Sequence, residues 1–332
     1  MKTDASGPAR GREPSNASLL LGGWRPAFHL AAFGPVWCLL EAARAAASRA
    51  PAAWAYWIWI PFAAACVLAW GWVSAFAVRE AAAGAAPRLR DLAREVAPRA
   101  SAFYLAPAGT ILVPAFLAAL ALAGSLVARI PFAGAWLGAV WLWTGGLALG
   151  IFAGAWVLLA APSLLVQIPA AAAEFPHAYE IVTRAMDYVR RRPLVLAAGS
   201  LAVLGASLAG TAVFGTAVSA ALAVLSSAAE IERGALPCPS QTARAVASVW
   251  LDPGTWWPAG RGALAALGLP AEPSSARWLV PVARAAPAFF AASVLSGLAR
   301  LYLVLRREVD GTPVSEVYEV GAARRRNEGS AR

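Results

Sequence analysis

The hydrophobic positions of this chain are gathered into long stretches that contain almost no charge. Residues 50–78 and 193–229 are uncharged, and residues 103–173 contain Arg129 as their one charge. A bilayer core about 30 Å thick is crossed by roughly 20 apolar helical residues, so the longest stretch is long enough for two spans. The pattern predicts an all-α polytopic transmembrane helical bundle over 26–306, with about six spans at about 28–47, 54–78, 103–128, 136–168, 194–226 and 281–305.

Two connections between these spans show helical periodicity instead of loop composition. In 89–96, apolar residues including Leu92 and Val96 oppose a charged face. In 175–189, apolar residues recur at i, i+3, i+4 and i+7 spacing on the side opposite Arg184. Each connection is predicted to form a basic amphipathic helix that lies flat in the inner membrane interface.

The order span, amphipathic helix, span therefore occurs twice, at about 54–128 and 136–226. A single offset aligns a glutamate and an arginine of the first copy with those of the second, namely Glu80 with Glu174 and Arg90 with Arg184. Few other residues match at this offset. A parallel repeat and a coincidence are both compatible with the sequence.

The basic residues are concentrated in the two tails and the two amphipathic connections. By the positive-inside rule, both termini are predicted to be cytoplasmic. A disordered cytoplasmic tail is expected at 1–25 and a second cytoplasmic tail at 307–332, with an outer loop at 227–278. Most tryptophans fall near the proposed outer ends, as an interfacial belt would.

The composition narrows the class of protein further. The 332 residues are 60% hydrophobic and 14% charged, whereas about 25% of a soluble domain is charged. The net charge of +10 comes from 28 basic residues, of which Lys2 is the one lysine. Because these residues lie beside apolar runs, we expect them to meet the anionic headgroups of a lipid bilayer, and we expect no nucleic acid partner.

The sequence contains no residue pattern that predicts catalysis. There is no HExxH, GxSxG, GxxxxGK[ST] or GxGxxG motif. Cys38, Cys66 and Cys238 are isolated, which predicts neither a disulfide framework nor a metal site. His29 and His177 have no accompanying serine, cysteine or carboxylate pattern. We expect no enzymatic activity, catalytic residue, metal or cofactor.

Two ionisable side chains fall within or near the ends of predicted spans, where buried charge is costly. Glu41, near the outer end of the first span, either pairs with Arg44 or Arg284 or marks a polar cavity. Arg300, near the inner end of the last span, either anchors the helix by snorkelling or belongs to a polar membrane site. Glu41 and Arg300 are therefore candidates for such a site.

Three glycines repeat at every fourth position of the fourth predicted span, at Gly146, Gly150 and Gly154. Small residues at this spacing allow the backbone of another helix to approach closely. The glycines are packing residues, either within the bundle or at a homodimer face.

Two further segments contain motif-like sets of residues. Segment 174–193, EFPHAYEIVTRAMDYVRRRP, resembles the element E…A…SR…YV..RP of a family of uncharacterised bacterial multi-pass membrane proteins, with Thr183 in place of the serine. Segment 301–318, LYLVLRREVDGTPVSEVY, resembles that family's C-terminal YLLLRR.VDGT…EVY. The resemblance implies a multi-pass protein of the bacterial inner membrane, without an activity or a ligand.

A looser similarity extends to the membrane domain that precedes some glycerophosphodiester phosphodiesterases. The residues of this chain contain no phosphodiesterase domain, so that activity is not implied.

The C-terminal motif also has a physical interpretation. A span that ends in Arg306 and Arg307 would place both arginines among headgroups, and Asp310 followed by glycine predicts a turn. Either the motif forms a well-ordered exit from the membrane, or Arg306, Arg307, Asp310, Glu316 and Tyr318 dock a cytoplasmic partner.

Three function hypotheses follow. The leading one is a non-enzymatic scaffold or membrane subunit of a larger complex, with a protein partner or a homo-oligomer. The alternative is a transporter or channel-like permease for a small or lipidic solute. A third is a lipid enzyme at the outer loop, which would depend on Asp252 and on Glu230 or Glu232.

Overall fold

A computed structural model describes residues 14–49, 55–126, 130, 133–174, 177–232 and 279–314, and these residues are almost entirely helical with no strand among them. The predicted all-α class is confirmed. The helices are α1 Asn16–Leu21, α2 Leu30–Arg49, α3 Ala55–Ala83, α4 Leu89–Val96, α5 Ala100–Ser125, α6 Gly134–Trp141, α7 Leu147–Ala173, α8 Ala178–Arg191, α9 Pro193–Glu232 and α10 Leu279–Asp310. Gly22–Phe28 and Ala97–Arg99 are 3₁₀ segments, and Leu142–Gly146 is a π-helical turn between α6 and α7.

Among the described residues, five stretches are long and apolar enough to cross a membrane, and they correspond to the last five predicted spans. The first predicted span is the helix α2, whose apolar part, Leu30–Ala43, is shorter. Most of the predicted outer loop lies outside the described residues, together with Asp252. The five stretches are Ile60–Ala83, Leu89–Ala123, Gly134–Ala173, Pro193–Val218 and Ala285–Asp310.

Residues 14–28 differ from the disordered tail predicted up to residue 25. The Ser15 hydroxyl caps α1 by accepting a hydrogen bond from the Ser18 backbone N–H at 3.1 Å. Leu19 is buried, and the Ser296 hydroxyl donates to the Gly23 carbonyl. A short apolar run with two glycines is thus ordered by packing contacts that its sequence does not reveal.

The chain divides into two compact units. The first unit takes the described residues that fall within 78–198 and 301–314, and the second unit takes those that fall within 14–77, 199–232 and 279–300. The helices α3, α9 and α10 each contribute residues to both units.

In the first unit, α8 packs against α5 and α7. The apolar face of α8, with Ile181, Ala185 and Val189, is buried. The end of α7 is the buried alanine run 170–173, whose small side chains leave room for another helix. The predicted amphipathic helix is confirmed. Its apolar face, however, packs against other helices of the protein, whereas the sequence predicted that the helix lies in the membrane interface.

The second unit has an aromatic core. Phe214 and Phe289 stack with ring centroids 4.7 Å apart, and Phe28 meets both rings edge-on. This arrangement holds the 3₁₀ segment against α9 and α10 within the unit.

Candidate functional site

Six polar side chains meet in the first unit where α7, α8 and α10 end or begin. We call this set the Glu174 cluster, and its members are Glu174, Arg184, Tyr188, Tyr302, Arg306 and Asp310.

Glu174 is the centre of the cluster. Its side chain is 5% exposed, and its carboxylate accepts hydrogen bonds from an Arg184 Nη1–H and from the Tyr302 hydroxyl. The Nε of Arg306 lies 2.7 Å from Oε1, as an ion pair without hydrogen-bond alignment. One carboxylate at the end of α7 therefore holds side chains from both α8 and α10.

A second link joins the same two helices. The Tyr188 hydroxyl of α8 donates to the Asp310 carboxylate of α10, with 2.5 Å between the oxygens. The rings of Tyr188 and Tyr302 lie 5.9 Å apart, and both side chains are buried. Asp310 thus closes a chain of contacts that starts at Glu174.

The surroundings of Arg184 and Tyr188, the two cluster residues on α8, each favour one protonation state. Burial lowers the pKa of the Arg184 guanidinium, but nearby negative groups, Glu174 first, raise it by more, so the pKa lies above its usual value. Burial raises the pKa of Tyr188, and the hydrogen bond to Asp310 and the charge of Glu174 raise it further. A charged arginine and a neutral phenol are thus favoured, which suits a structural link.

The raised pKa of Tyr188 gives a pH prediction. A folded-state pKa above the unfolded value of about 10 means that the neutral phenol stabilises the fold below about pH 10. This contribution is lost as the pH rises through the folded-state pKa. Thermal unfolding in detergent should show wild-type stability falling more steeply above about pH 10 than that of Tyr188→Phe. Parallel curves for the two proteins would contradict the expectation.

The cluster changes the interpretation of the predicted docking residues. Arg306 is 8% exposed and pairs with Glu174, and Asp310 accepts from Tyr188, so both are engaged within the chain and not free for a partner. Arg307 is half-buried, whereas Glu316 and Tyr318 lie outside the described residues. The predicted turn is confirmed, because Gly311 follows α10 with φ +68° and its N–H donates to the Arg307 carbonyl.

A polar trio, Thr110, Ser163 and Gln167, lies between α5 and α7 of the first unit. The Gln167 Nε2 donates to the hydroxyls of Thr110 and Ser163, each at 2.8 Å. All three side chains are buried, and the Gln167 Oε1 has no hydrogen-bond partner within the described residues. The trio is a polar site inside two apolar helices.

Prolines lie within the same two helices. Pro114 has no N–H to donate to the Thr110 carbonyl, and the Trp156 Nε1–H of α7 donates to that carbonyl at 3.0 Å. Pro162 and Pro169 lie in α7 on either side of the trio's Ser163 and Gln167. A neighbouring side chain thus satisfies the carbonyl that Pro114 frees, as a membrane span requires.

A second ionic link bears on the predicted repeat. Arg79 at the end of α3 pairs with Glu95 of α4, and both side chains are 11% exposed. In the other copy, the acid is on the span and the base is on the amphipathic helix, at Glu174 and Arg184. Both copies anchor the amphipathic helix by an ion pair, but the charges are reversed. The link in the first copy also uses Arg79 and Glu95, which are not the residues that the offset aligns with Glu174 and Arg184.

The two candidates for a polar membrane site belong to the second unit, whereas the Glu174 cluster belongs to the first. Arg300 is 6% exposed, and its guanidinium lies against Gly22 within the second unit. Glu41 is half-buried in the same unit. The side chains of Arg44 and Arg284 are outside those described, and the predicted pairing of Glu41 stays a prediction.

The glycine stripe makes no close contact with another helix among the described residues. A Cβ added at Gly150 or Gly154 would meet no described atom within 4 Å, and at Gly146 it would meet only the preceding turn, at Trp141 and Leu142. Within the described residues, nothing covers Gly150 and Gly154.

The described residues contain no group of three or more histidine, cysteine, aspartate or glutamate side chains that could hold a metal ion. The Glu174 cluster combines two carboxylates, two guanidinium groups and two phenols in a network of ion pairs and hydrogen bonds. Sequence reasoning did not select Glu174, Arg184, Tyr188 or Tyr302 as site residues. The available signal was that the cluster's six residues all fall in the two motif-like segments.

The fold and these sites define a multi-span helical membrane protein. In comparisons with known proteins, no family model, curated protein or solved structure matches this chain.

Proposed function

We propose that this protein is a non-enzymatic membrane component that acts by assembly, as a scaffold or as the membrane subunit of a larger complex. The observation that carries the proposal is the uneven coverage of the spans. In the most apolar windows of Leu89–Ala123 and Gly134–Ala173, 11% and 17% of residues are buried, against 78% in Ala285–Asp310. The glycine stripe lies on one of the two least covered spans.

Lipid alone does not account for this surface. Apolar side chains satisfy lipid tails, but glycine leaves a groove that favours the close approach of another helix. The exposed face of the same region also has large aromatic side chains, with Trp136 71% and Trp143 78% exposed. An exposed glycine groove, with large exposed aromatic side chains earlier in the same stretch, supports a helix of a second copy or of a partner as the occupant.

The ionic side chains of the first unit support a structural role. Glu174 at the end of α7 pairs with Arg306 of α10, and Asp310 of α10 accepts a hydrogen bond from α8. Arg79 of α3 pairs with Glu95 of α4. Their bonds fix the ends of helices and leave an apolar exterior for assembly.

The proposal is tested by replacing Gly150 and Gly154 together with leucine. The bulky side chains should fill the groove and abolish the crosslinked dimer or partner complex obtained from native membranes. The control is Gly109→Leu, because Gly109 is an exposed glycine of α5 that also has no neighbour within 4 Å. A wild-type protein that is monomeric and yields no crosslink, or complexes that survive the double substitution, would overturn the proposal.

A permease for a small or lipidic solute is the second candidate, and the polar trio favours it. Transporters commonly place polar sites where spans are broken, and the trio lies among the prolines of α5 and α7. In protein with its cysteines replaced by serine, a permease predicts that Ser163→Cys reacts with a membrane-impermeant maleimide and that lipid-facing Leu112→Cys does not. Protection of both positions would exclude an aqueous pathway at the trio.

A further inference from the structure

Three consecutive exposed arginines lie where α8 ends and α9 begins. We call Arg190, Arg191 and Arg192 the arginine patch. Arg191 pairs with Asp187 on the same helix, with 2.9 Å between Nε and Oδ2. In the part of the chain that the structure describes, Arg190 and Arg192 have no carboxylate partner, so the patch has an excess of positive charge.

The patch is held in place by buried contacts of α8. Ile181, Ala185 and Val189 fix one face of the helix in the first unit, and Tyr188 is bonded to Asp310. The patch is therefore presented by an ordered helix end, so little backbone conformational entropy remains to be lost when a ligand binds.

Charge and exposed apolar surface meet at this point. Arg192 is followed by Pro193, where the span Pro193–Val218 begins, and by Leu194, which is 81% exposed. A guanidinium group and a lipid-facing leucine only two residues apart match the boundary between phospholipid headgroups and acyl chains.

We infer that the arginine patch binds the phosphate of an anionic phospholipid whose acyl chain lies along the start of α9 at Leu194. Guanidinium groups bind phosphate with paired hydrogen bonds, and the net positive charge selects an anionic over a zwitterionic headgroup. This site shares no residue with the glycine stripe on α7, so the inference does not rest on the proposed function.

The test uses the full-length protein in detergent, titrated with phosphatidylglycerol or phosphatidylcholine and followed by native mass spectrometry. The wild type should prefer phosphatidylglycerol. Arg190→Gln with Arg192→Gln should lower that preference by about fivefold for each arginine removed. Arg190→Lys with Arg192→Lys keeps the charge and should keep most of the preference.

The matched control is Arg90→Gln with Arg94→Gln, which removes the same charge from the exposed face of α4. It should leave the preference intact if the site is the patch. Three outcomes would overturn the inference: no preference in the wild type, no change in the glutamine variant, or an equal loss in the α4 control.

Discussion

Replacing Glu174 with alanine should destabilise the protein by about 3–5 kcal/mol, the range for removing one partner of a buried ion pair. The substitution leaves the Arg306 guanidinium, which is 8% exposed, without the carboxylate 2.7 Å from its Nε. It also removes the acceptor of the Tyr302 hydroxyl and of Arg184. The measurement is the free energy of unfolding in mixed micelles.

The control for this prediction is Asp187→Asn. Asp187 pairs with Arg191 on the same helix, but the side chains of Arg191 and Asp187 are 60% and 40% exposed, so the loss should be at most about 1 kcal/mol. Glu174→Gln, which keeps an acceptor oxygen, should fall between the two. Equal losses for Glu174→Ala and Asp187→Asn would show that the cluster adds no more stability than a surface pair.

The span pattern was predictable because it depends on local composition. The gaps between charges located five spans, and helical periodicity located α4 and α8. The turn after Asp310 was predictable for the same reason, since it needs only a glycine that adopts a positive φ.

The Glu174 cluster was not predictable as a site, because its members are far apart in sequence. Tyr302 and Glu174 are separated by 128 positions, and Tyr188 and Asp310 by 122. Periodicity shows which face of α8 is apolar, but it does not show whether lipid or α7 covers that face. For the same reason, the position of Arg306 at the end of a span indicated contact with a headgroup or a partner. In the structure its counterion is Glu174 of the same chain.

Within the described residues, the close approach of small residues occurs at glycines outside the predicted stripe. Gly150 and Gly154 form the evident stripe, yet a Cβ there would meet no described atom within 4 Å. Gly23, in a segment expected to be disordered, lies against Gly297 of α10 within the second unit. Spacing within one helix reveals a stripe, whereas a single glycine on each of two distant segments leaves no pattern.

Gly23→Ala should therefore destabilise the protein by about 1–3 kcal/mol, the usual cost of forcing a methyl group into a packed site. Its Cβ would lie 2.8 Å from the Gly297 Cα and 3.4 Å from the Gly297 nitrogen. Backbone cannot rotate away as a flexible side chain can, so the 3₁₀ segment or α10 must shift. The shift would also disturb the hydrogen bond from Ser296 to the Gly23 carbonyl.

Gly205→Ala on α9 is the matched control, because its Cβ would meet nothing within 4 Å in the described part of the same unit. There the methyl group should be neutral or stabilising by up to about 1 kcal/mol, since alanine restricts the unfolded chain more than glycine does. The free energy of unfolding of the Gly23→Ala protein should thus be lower than that of the Gly205→Ala protein by at least about 1 kcal/mol. If Gly23→Ala proved as harmless as Gly205→Ala, the close approach of Gly23 and Gly297 would not contribute to the stability of the second unit.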